Sequence, residues 1–444
     1  MRASIRAIAA GGEGVGRLED GCTVFVHRTA PGDEADVELT HRARRWARGR
    51  LVRLLRPGEG RREAPCPFYA DCGGCTLQHL AEEAQRAARA AIVAEALTRL
   101  GGVALAAPPD VIPSPRPWRY RNRMSFLARR AGGGAVLAGL HALGEPYRLV
   151  EVDERCLLPE EPVAAAWGRL RRALTADAAL LPPGEEVRLS VRGTAAGEVL
   201  LLVEGGPAWW DASPLGRASG PWAGVWQRGG EGRVRRLEGG EVEDDLAAET
   251  VAVAADAFLQ VNRGAAARLY EEVARQVGEV RGQRVVDAYA GVGVLARRLA
   301  RAGARVTAIE ANPRAAAQAR RAGGFEVLTG AAERHLPRAL PAEVVILNPP
   351  RSGCTPAVLE ALRRRPPRRV VYVSCDPATL ARDLRRLGEA FTVQGVACVD
   401  LFPQTAHVET VATLRATSPM ARRSSAPLPP HPPAPAPGRP FSGQ

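Results

Sequence analysis

By residue type and neighbours, the best candidate nucleophile in this chain is Cys375, in the run Ser374-Cys375-Asp376-Pro377. The strand-like segment RVVYVSC at 369–375 leads into it, and the helical segment PATLARDLRRLG follows. Asp376 can cap that helix, with Pro377 in its first turn. The thiol then stands beside a positive helix end, which favours the thiolate, the form that attacks carbon. An inert buried thiol is the plain alternative. Glu409 lies in FPQTAHVET, with His407 just before it, on what read as the last strands near the same sheet edge. It can serve as a general base, or simply be a solvated carboxylate.

A ligand loop stands earlier in the chain. Asp287-Ala-Tyr289-Ala-Gly291-Val-Gly293 joins a strand to a helix. Its glycines let the backbone approach a ligand closely at a helix N-terminus. Glu310 ends the next strand, 19 residues after Gly291, where a carboxylate can accept both hydroxyls of a ribose. The letters also fit G-x-G-x-x-A, so a nicotinamide dinucleotide is a competing ligand. Asn348-Pro349-Pro350-Arg351 ends a further strand, at the carboxyl edge where doubly wound sheets bind ligands. Dehydrogenases have no need of such a loop. In methyltransferases that use S-adenosylmethionine it faces the substrate.

Cys66-x5-Cys72-x2-Cys75 puts three thiols within ten residues, among Pro and Gly, with Cys156 as a candidate fourth. Four thiolates suit either Zn or a [4Fe–4S] cluster, and spacing does not choose between them.

These residues need elements to carry them. Residues 1–56 alternate short apolar runs with Gly and Asp turns, which predicts a small OB-like barrel. Arg42, Arg44, Arg45, Arg48, Arg50 and Arg53 crowd around Trp46 there, a mixture suited to single-stranded nucleic acid, although a solvated edge strand fits as well. Residues 57–255 read as a central domain with the Cys cluster, an amphipathic helix over 81–100 and a β-rich stretch after 111. Residues 256–416 alternate strands and helices, as a doubly wound parallel sheet does. Residues 417–444 hold nine Pro among Ser and Ala and are expected to be disordered. The fold class is therefore α/β with a small β-barrel in front.

Composition narrows the partners. The 444 residues are 46% hydrophobic, enough to bury several cores, so wholesale disorder is excluded. No run reaches the roughly 18 uncharged apolar residues of a membrane helix. No secretory h-region is evident, so the cytoplasm is the expected location, where cysteines more often bind metal or react than form bridges. All 61 basic residues are Arg, against 48 acidic ones, which gives a net charge of +13 and points to a polyanionic partner.

Together these motifs resemble the RNA uracil-5-methyltransferases over about residues 1–415. The resemblance implies a TRAM-type barrel that helps bind RNA. It also implies a class I methyltransferase domain using S-adenosylmethionine, and a [4Fe–4S] cluster on Cys66, Cys72, Cys75 and Cys156. Tyr120-Arg-Asn-Arg-Met124 looks like a further family segment. By the same resemblance, Gln260 and Asn262 in FLQVN, Tyr289, Gly291, Gly293, Glu310 and Asn348 belong to the cofactor site, Cys375 is the nucleophile and Glu409 the base. The chain departs from the family at Asn348, where an Asp is usual, at Val294, where many members carry Asn, and at Ala331, an acidic position. The expected substrate is 23S ribosomal RNA, with a tRNA T-loop uridine second, and the expected state is a monomer. An iron–sulfur nicotinamide oxidoreductase would leave Cys375, Glu409 and the Pro-Pro loop without a purpose. A non-catalytic RNA-binding protein on the same fold would have no need of Cys375 and Glu409 together.

Overall fold

The computed structural model describes residues 1–182, 186–230 and 232–417. Apart from Thr417, the tail expected to be disordered lies outside the described residues. Strands β1 (Arg2–Ile8), β2 (Gly14–Leu18), β3 (Thr23–Val26), β4 (Glu34–Arg42) and β5 (Trp46–Arg56) close into a barrel in the order β1-β2-β3-β5-β4. Alternate residues fill it, among them Ile5, Val24, Val26 and Val37. Closure leaves no free edge, so the edge-strand alternative falls. Part of the Arg cluster is paired on the barrel surface: Arg42 with Asp20, Arg50 with Glu38 and Arg53 with Asp36.

Helix α1 (Glu82–Arg99) follows the Cys-rich loop, then β6 (Val111–Ile112), β7 (Arg123–Arg130), β8 (Val136–Ala142), β9 (Glu145–Glu151), α2 (Glu161–Ala176), β10 (Glu186–Gly193), β11 (Val199–Glu204), α3 (Ser213–Ser219), β12 (Gly224–Arg228) and β13 (Val234–Gly239). Seven of these strands form one sheet, β13-β12-β11-β10-β7-β8-β9. Helix α2 lies on it, with Trp167 stacked on Phe126 at 3.8 Å. The buried indole N–H needs an acceptor and finds the Val152 carbonyl at 2.6 Å. A separate hairpin, β14 (Val242–Leu246) and β15 (Glu249–Val253), follows.

The last part of the chain builds α4 (Arg263–Val277), β16 (Arg284–Ala288), α5 (Val294–Arg301), β17 (Arg305–Glu310), α6 (Pro313–Ala322), β18 (Glu326–Thr329), α7 (Ala332–Ala339), β19 (Val344–Leu347), α8 (Pro356–Arg364), β20 (Arg369–Ser374), α9 (Pro377–Leu387), β21 (Phe391–Val399) and β22 (Glu409–Ala416). Its sheet runs β18-β17-β16-β19-β20-β22-β21-β6. β16 to β20 are parallel, and β22 runs antiparallel to β20 and β21. The chain winds outward from β16 to β18, then returns to β19, so the switch point lies between β16 and β19, where such folds bind ligands. Among the described residues no helix is long and apolar enough to cross a membrane.

Two elements from the 57–255 stretch belong to this sheet. β6 pairs with β21, and Val93 and Leu97 of α1 enter the core beneath α9. An amphipathic helix buries its stripe wherever an apolar face is open, regardless of chain distance. The same helix buries a cation. Arg89 is fully enclosed and donates to Asp400 Oδ2 at 3.1 Å, to the Thr405 carbonyl at 3.0 Å and to Gln85 Oε1 at 3.2 Å. Arg89→Leu leaves Asp400 buried without its counter-ion. A loss of about 3–5 kcal/mol is expected, read as a lower unfolding midpoint. An unchanged midpoint would show that the pair is not a structural tie.

Candidate active site

β20 and β22 carry the two reactive candidates. Their ladder pairs Ser374 with Thr410. Cys375 follows directly where β20 ends and Glu409 is the first residue of β22, near enough that the Glu409 charge acts on the thiol. β21 flanks the pair on the other side, with Val399 opposite Glu409. Glu409 is fully buried, and burial pushes its carboxyl up to about 8, against a smaller opposing pull from Arg351.

Asp376 caps α9 as expected, its Oδ1 accepting from the Thr379 N–H at 2.8 Å. The expected bias of Cys375 toward thiolate is corrected. Burial first, then the Glu409 charge, push the thiol above its ordinary value, and only Arg351 opposes them with a charge. Sequence reasoning quoted Arg351 within its motif and gave it no role. The structure sets its guanidinium on the Cys375 thiol and within reach of Glu409. The loop that carries Arg351 is held by α9. Thr379 Oγ1 donates to the Arg351 carbonyl at 3.0 Å, Arg382 to the Ser352 carbonyl at 2.7 Å, and the buried Asp383 Oδ2 accepts from the Cys354 N–H at 2.8 Å and the Tyr372 hydroxyl at 2.7 Å.

The glycine loop lies at the switch point. Gly291 has φ +59°, and a Cβ built there would meet open space. Gly293 has φ +83°, and a Cβ there would strike Phe325 at 2.8 Å, so its glycine is dictated by packing against the neighbouring turn. Glu310 accepts from the Gly291 N–H at 2.8 Å and the Asn312 N–H at 2.7 Å, one on each oxygen. A carboxylate has about four acceptor sites, so it retains capacity for hydroxyls. Asp287 is buried, its Oδ2 has no partner among the described residues, and burial pushes it up to about 7. Tyr289 is half-buried at φ +71°, with its phenol against the Cys354 thiol. Asn348 ends β19 beside it, its N–H on the Ala288 carbonyl at 3.4 Å. An unpartnered buried acceptor, a carboxylate with acceptor sites to spare and a glycine that faces open space fit an adenosyl ligand. Gln260 is held on the neighbouring segment by Asn122, which donates to its carbonyl at 3.0 Å. Asn262 departs from its expected role. Its amide caps α4 and donates to Ser114 Oγ at 3.0 Å and the Leu401 carbonyl at 3.2 Å. Val294 opens α5, and Ala331 precedes α7 without a side-chain cap.

Cys66, Cys72, Cys75 and Cys156 are unbridged and share one apolar core with Tyr69 and Tyr120. Burial first, then the charges of neighbouring cysteines, push Cys75 and Cys156 up to about 12. Among the described residues no three His, Cys, Asp or Glu side chains are arranged to hold a single metal ion. The expected iron–sulfur site in the central domain is thus not shown by the arrangement of these thiols.

Glu409 carries a stability signature. Its folded pKa lies above the ordinary 4.5, so folding favours the protonated form. The stabilising contribution is whole below the unfolded value and is lost as pH rises through about 8. Glu409→Gln is neutral throughout. It should unfold at a higher temperature than the wild type at about pH 9 and at a similar one at about pH 5. An equal difference at both would exclude the buried charge as the cause.

Residues 338–417 match the tRNA (uracil-5-)-methyltransferase family, and residues 1–52 match the TRAM domain. An uncharacterized RNA methyltransferase of Gloeobacter violaceus is 36% identical over 92% of this chain and 95% of its own length. Another, from Thermosynechococcus vestitus, is 34% identical over 91% and 95%. The crystal structure of Pyrococcus abyssi tRNA (uracil-54, C5)-methyltransferase with S-adenosyl-L-homocysteine is 25% identical. It covers 93% of this chain and all of its own, at a TM-score of 0.70. With the barrel, the glycine loop at the switch point and Cys375 beside Glu409 already in place, the chain belongs to the RNA uracil-5-methyltransferase family.

Proposed function

We propose that this RNA uracil-C5 methyltransferase acts on a uridine of 23S ribosomal RNA, as a cytoplasmic monomer, by covalent addition of Cys375. The placement of Cys375 at the end of β20, within reach of the Glu409 charge at the start of β22, carries the reading. C5 of uracil is a weak nucleophile. Attack of the Cys375 thiolate at C6 turns the base into an enolate with its reactive end at C5. S-adenosylmethionine supplies the methyl group that C5 takes. Glu409 removes the C5 proton, the C5–C6 double bond reforms, and Cys375 leaves. Arg351 offsets the burial that holds both groups protonated. A stacked uridine cannot reach the thiol, so the base must be flipped out or already unpaired. Gln260, Tyr289, Gly291, Gly293, Glu310 and Asn348 form the cofactor side, with Asn348 keeping a hydrogen-bonding amide where the family's charge is absent. The Pyrococcus abyssi neighbour favours a second reading, a tRNA T-loop uridine.

We assign Cys66, Cys72, Cys75 and Cys156 to a [4Fe–4S] cluster with a structural role, because this transfer needs no electrons. Anaerobic protein should contain iron and sulfide, and Cys156→Ser should lose most of both. Stoichiometric zinc in their place would overturn the assignment.

Labelled S-adenosylmethionine, offered with unmodified 23S rRNA and unmodified tRNA in parallel, should yield 5-methyluridine in the 23S sample, and Cys375→Ala should yield none. Product in tRNA alone would keep the mechanism and replace the substrate. The rate should climb with pH through about 8, as Glu409 ionises, and go on climbing as the raised Cys375 thiol follows. A rate that falls over that range would remove Glu409 as the base.

A further inference from the structure

The loop that delivers Glu409 is irregular, yet five consecutive carbonyls in it accept from other parts of the chain. Asn262 donates to Leu401 at 3.2 Å, Arg89 to Phe402 at 3.4 Å and to Thr405 at 3.0 Å, and the Tyr120 hydroxyl to Pro403 at 2.9 Å. The Gln404 carbonyl accepts two N–H groups of the Cys-rich loop, Thr76 at 3.0 Å and Leu77 at 2.9 Å.

Gln404 is the hub. It is fully buried at φ +70°, a conformation that a non-glycine residue keeps only where its surroundings impose it. Its Oε1 accepts from Arg62 at 3.0 Å and Gln85 at 2.9 Å, and its Nε2 donates to the Pro117 carbonyl at 3.3 Å. Two residues on, the Ala406 N–H donates to Thr76 Oγ1 at 3.1 Å. Thr76 in turn meets the N-terminal barrel. A Cβ on Gly12, in the β1–β2 turn, would lie 2.5 Å from the Thr76 side chain. The Ala406 methyl shares an apolar cluster with Ile8 and Ala30 of the barrel and Leu77 of the Cys-rich loop. The barrel, the Cys-rich loop and the base-bearing loop thus form one packed junction.

We propose that Gln404 and Thr76 are positioning residues for Glu409, and that through them the seating of the barrel governs proton removal from C5. The proposal rests on Glu409 being the base. The step concerned is elimination. The C5–H bond breaks, its proton goes to Glu409, its electron pair reforms the C5–C6 double bond, and the C6–S bond breaks to release the Cys375 thiolate. A displaced Glu409 leaves the preceding methyl transfer intact and slows this step, so methylated RNA stays bonded to Cys375.

Thr76→Val removes the hydroxyl at nearly constant shape. Gln404→Gly removes the hub side chain and tolerates φ +70°, so either variant can carry the test should the other fail to fold. In single-turnover reactions with labelled S-adenosylmethionine, each should release product about tenfold more slowly than wild type. A denaturant-stable, methyl-labelled protein–RNA adduct should accumulate, while binding of RNA and of S-adenosylhomocysteine stays within about twofold. Thr76→Ser should restore release. Wild-type release by both variants, or slow release without adduct, would overturn the proposal. Glu409→Gln separates the two readings. If it traps adduct while Thr76→Val and Gln404→Gly turn over normally, the base stands and the junction falls; if it turns over freely, both fall.

Discussion

The antiparallel pairing of β20 with β22 is the constraint that the rest of the molecule serves. A parallel sheet alone would deliver Cys375, Asn348 and the glycine loop to one edge. It would not bring a carboxylate from the chain's far end to face the thiol. Reversing the last strands does so, because β22 then begins beside the end of β20. The same pairing buries Glu409, and burial makes a carboxylate a stronger base while making its charged form costly. A cation at the mouth of the pair is therefore needed, and the loop with Arg351 supplies it. That loop is pinned to α9 through Thr379, Arg382 and Asp383, the helix that begins just after Cys375. Cys375 and its counter-charge thus share one rigid support.

The elements were largely legible in the sequence because their patterns are periodic. The barrel strands alternate, α1 has its stripe, and each strand from β16 to β20 is a short apolar run before a turn. The site residues were legible because they cluster at strand ends in recognisable company. What stayed hidden depends on tertiary surroundings. β6 has two residues and no pattern to read. β13, with exposed or half-buried positions throughout, shows no clean alternation. The state of Cys375 could not be read from its helix cap, because burial and a neighbouring carboxylate outweigh the cap, and neither is local in sequence. Asn262 was read as a ligand contact because it sits beside Gln260; only the packed structure shows its amide spent on α4 and two other segments.

The barrel is built into the catalytic body. Arg28 reaches from the barrel to the carbonyls of Tyr69, Cys72 and Cys75 and lies over the Tyr69 ring. His79 joins the Tyr69 hydroxyl to the Thr29 carbonyl. The Cys-rich loop is therefore braced from the barrel side at Tyr69, Cys72 and Cys75, and its Thr76 and Leu77 brace the loop before Glu409.

β6 and α1 give this architecture a genetic consequence. The stretch 256–416 looks like a portable module when read as a string, but its sheet ends on a strand contributed from before residue 113, and α9 packs on a helix that ends at Arg99. Cut free, it would expose the β21 edge and an apolar helix face at once, an invitation to pair with other chains. A fold closed in this way resists shuffling. The RNA grip, the thiol cluster and the chemistry must be inherited as one continuous reading frame, and a new RNA target is reached by changing the surface rather than by exchanging parts.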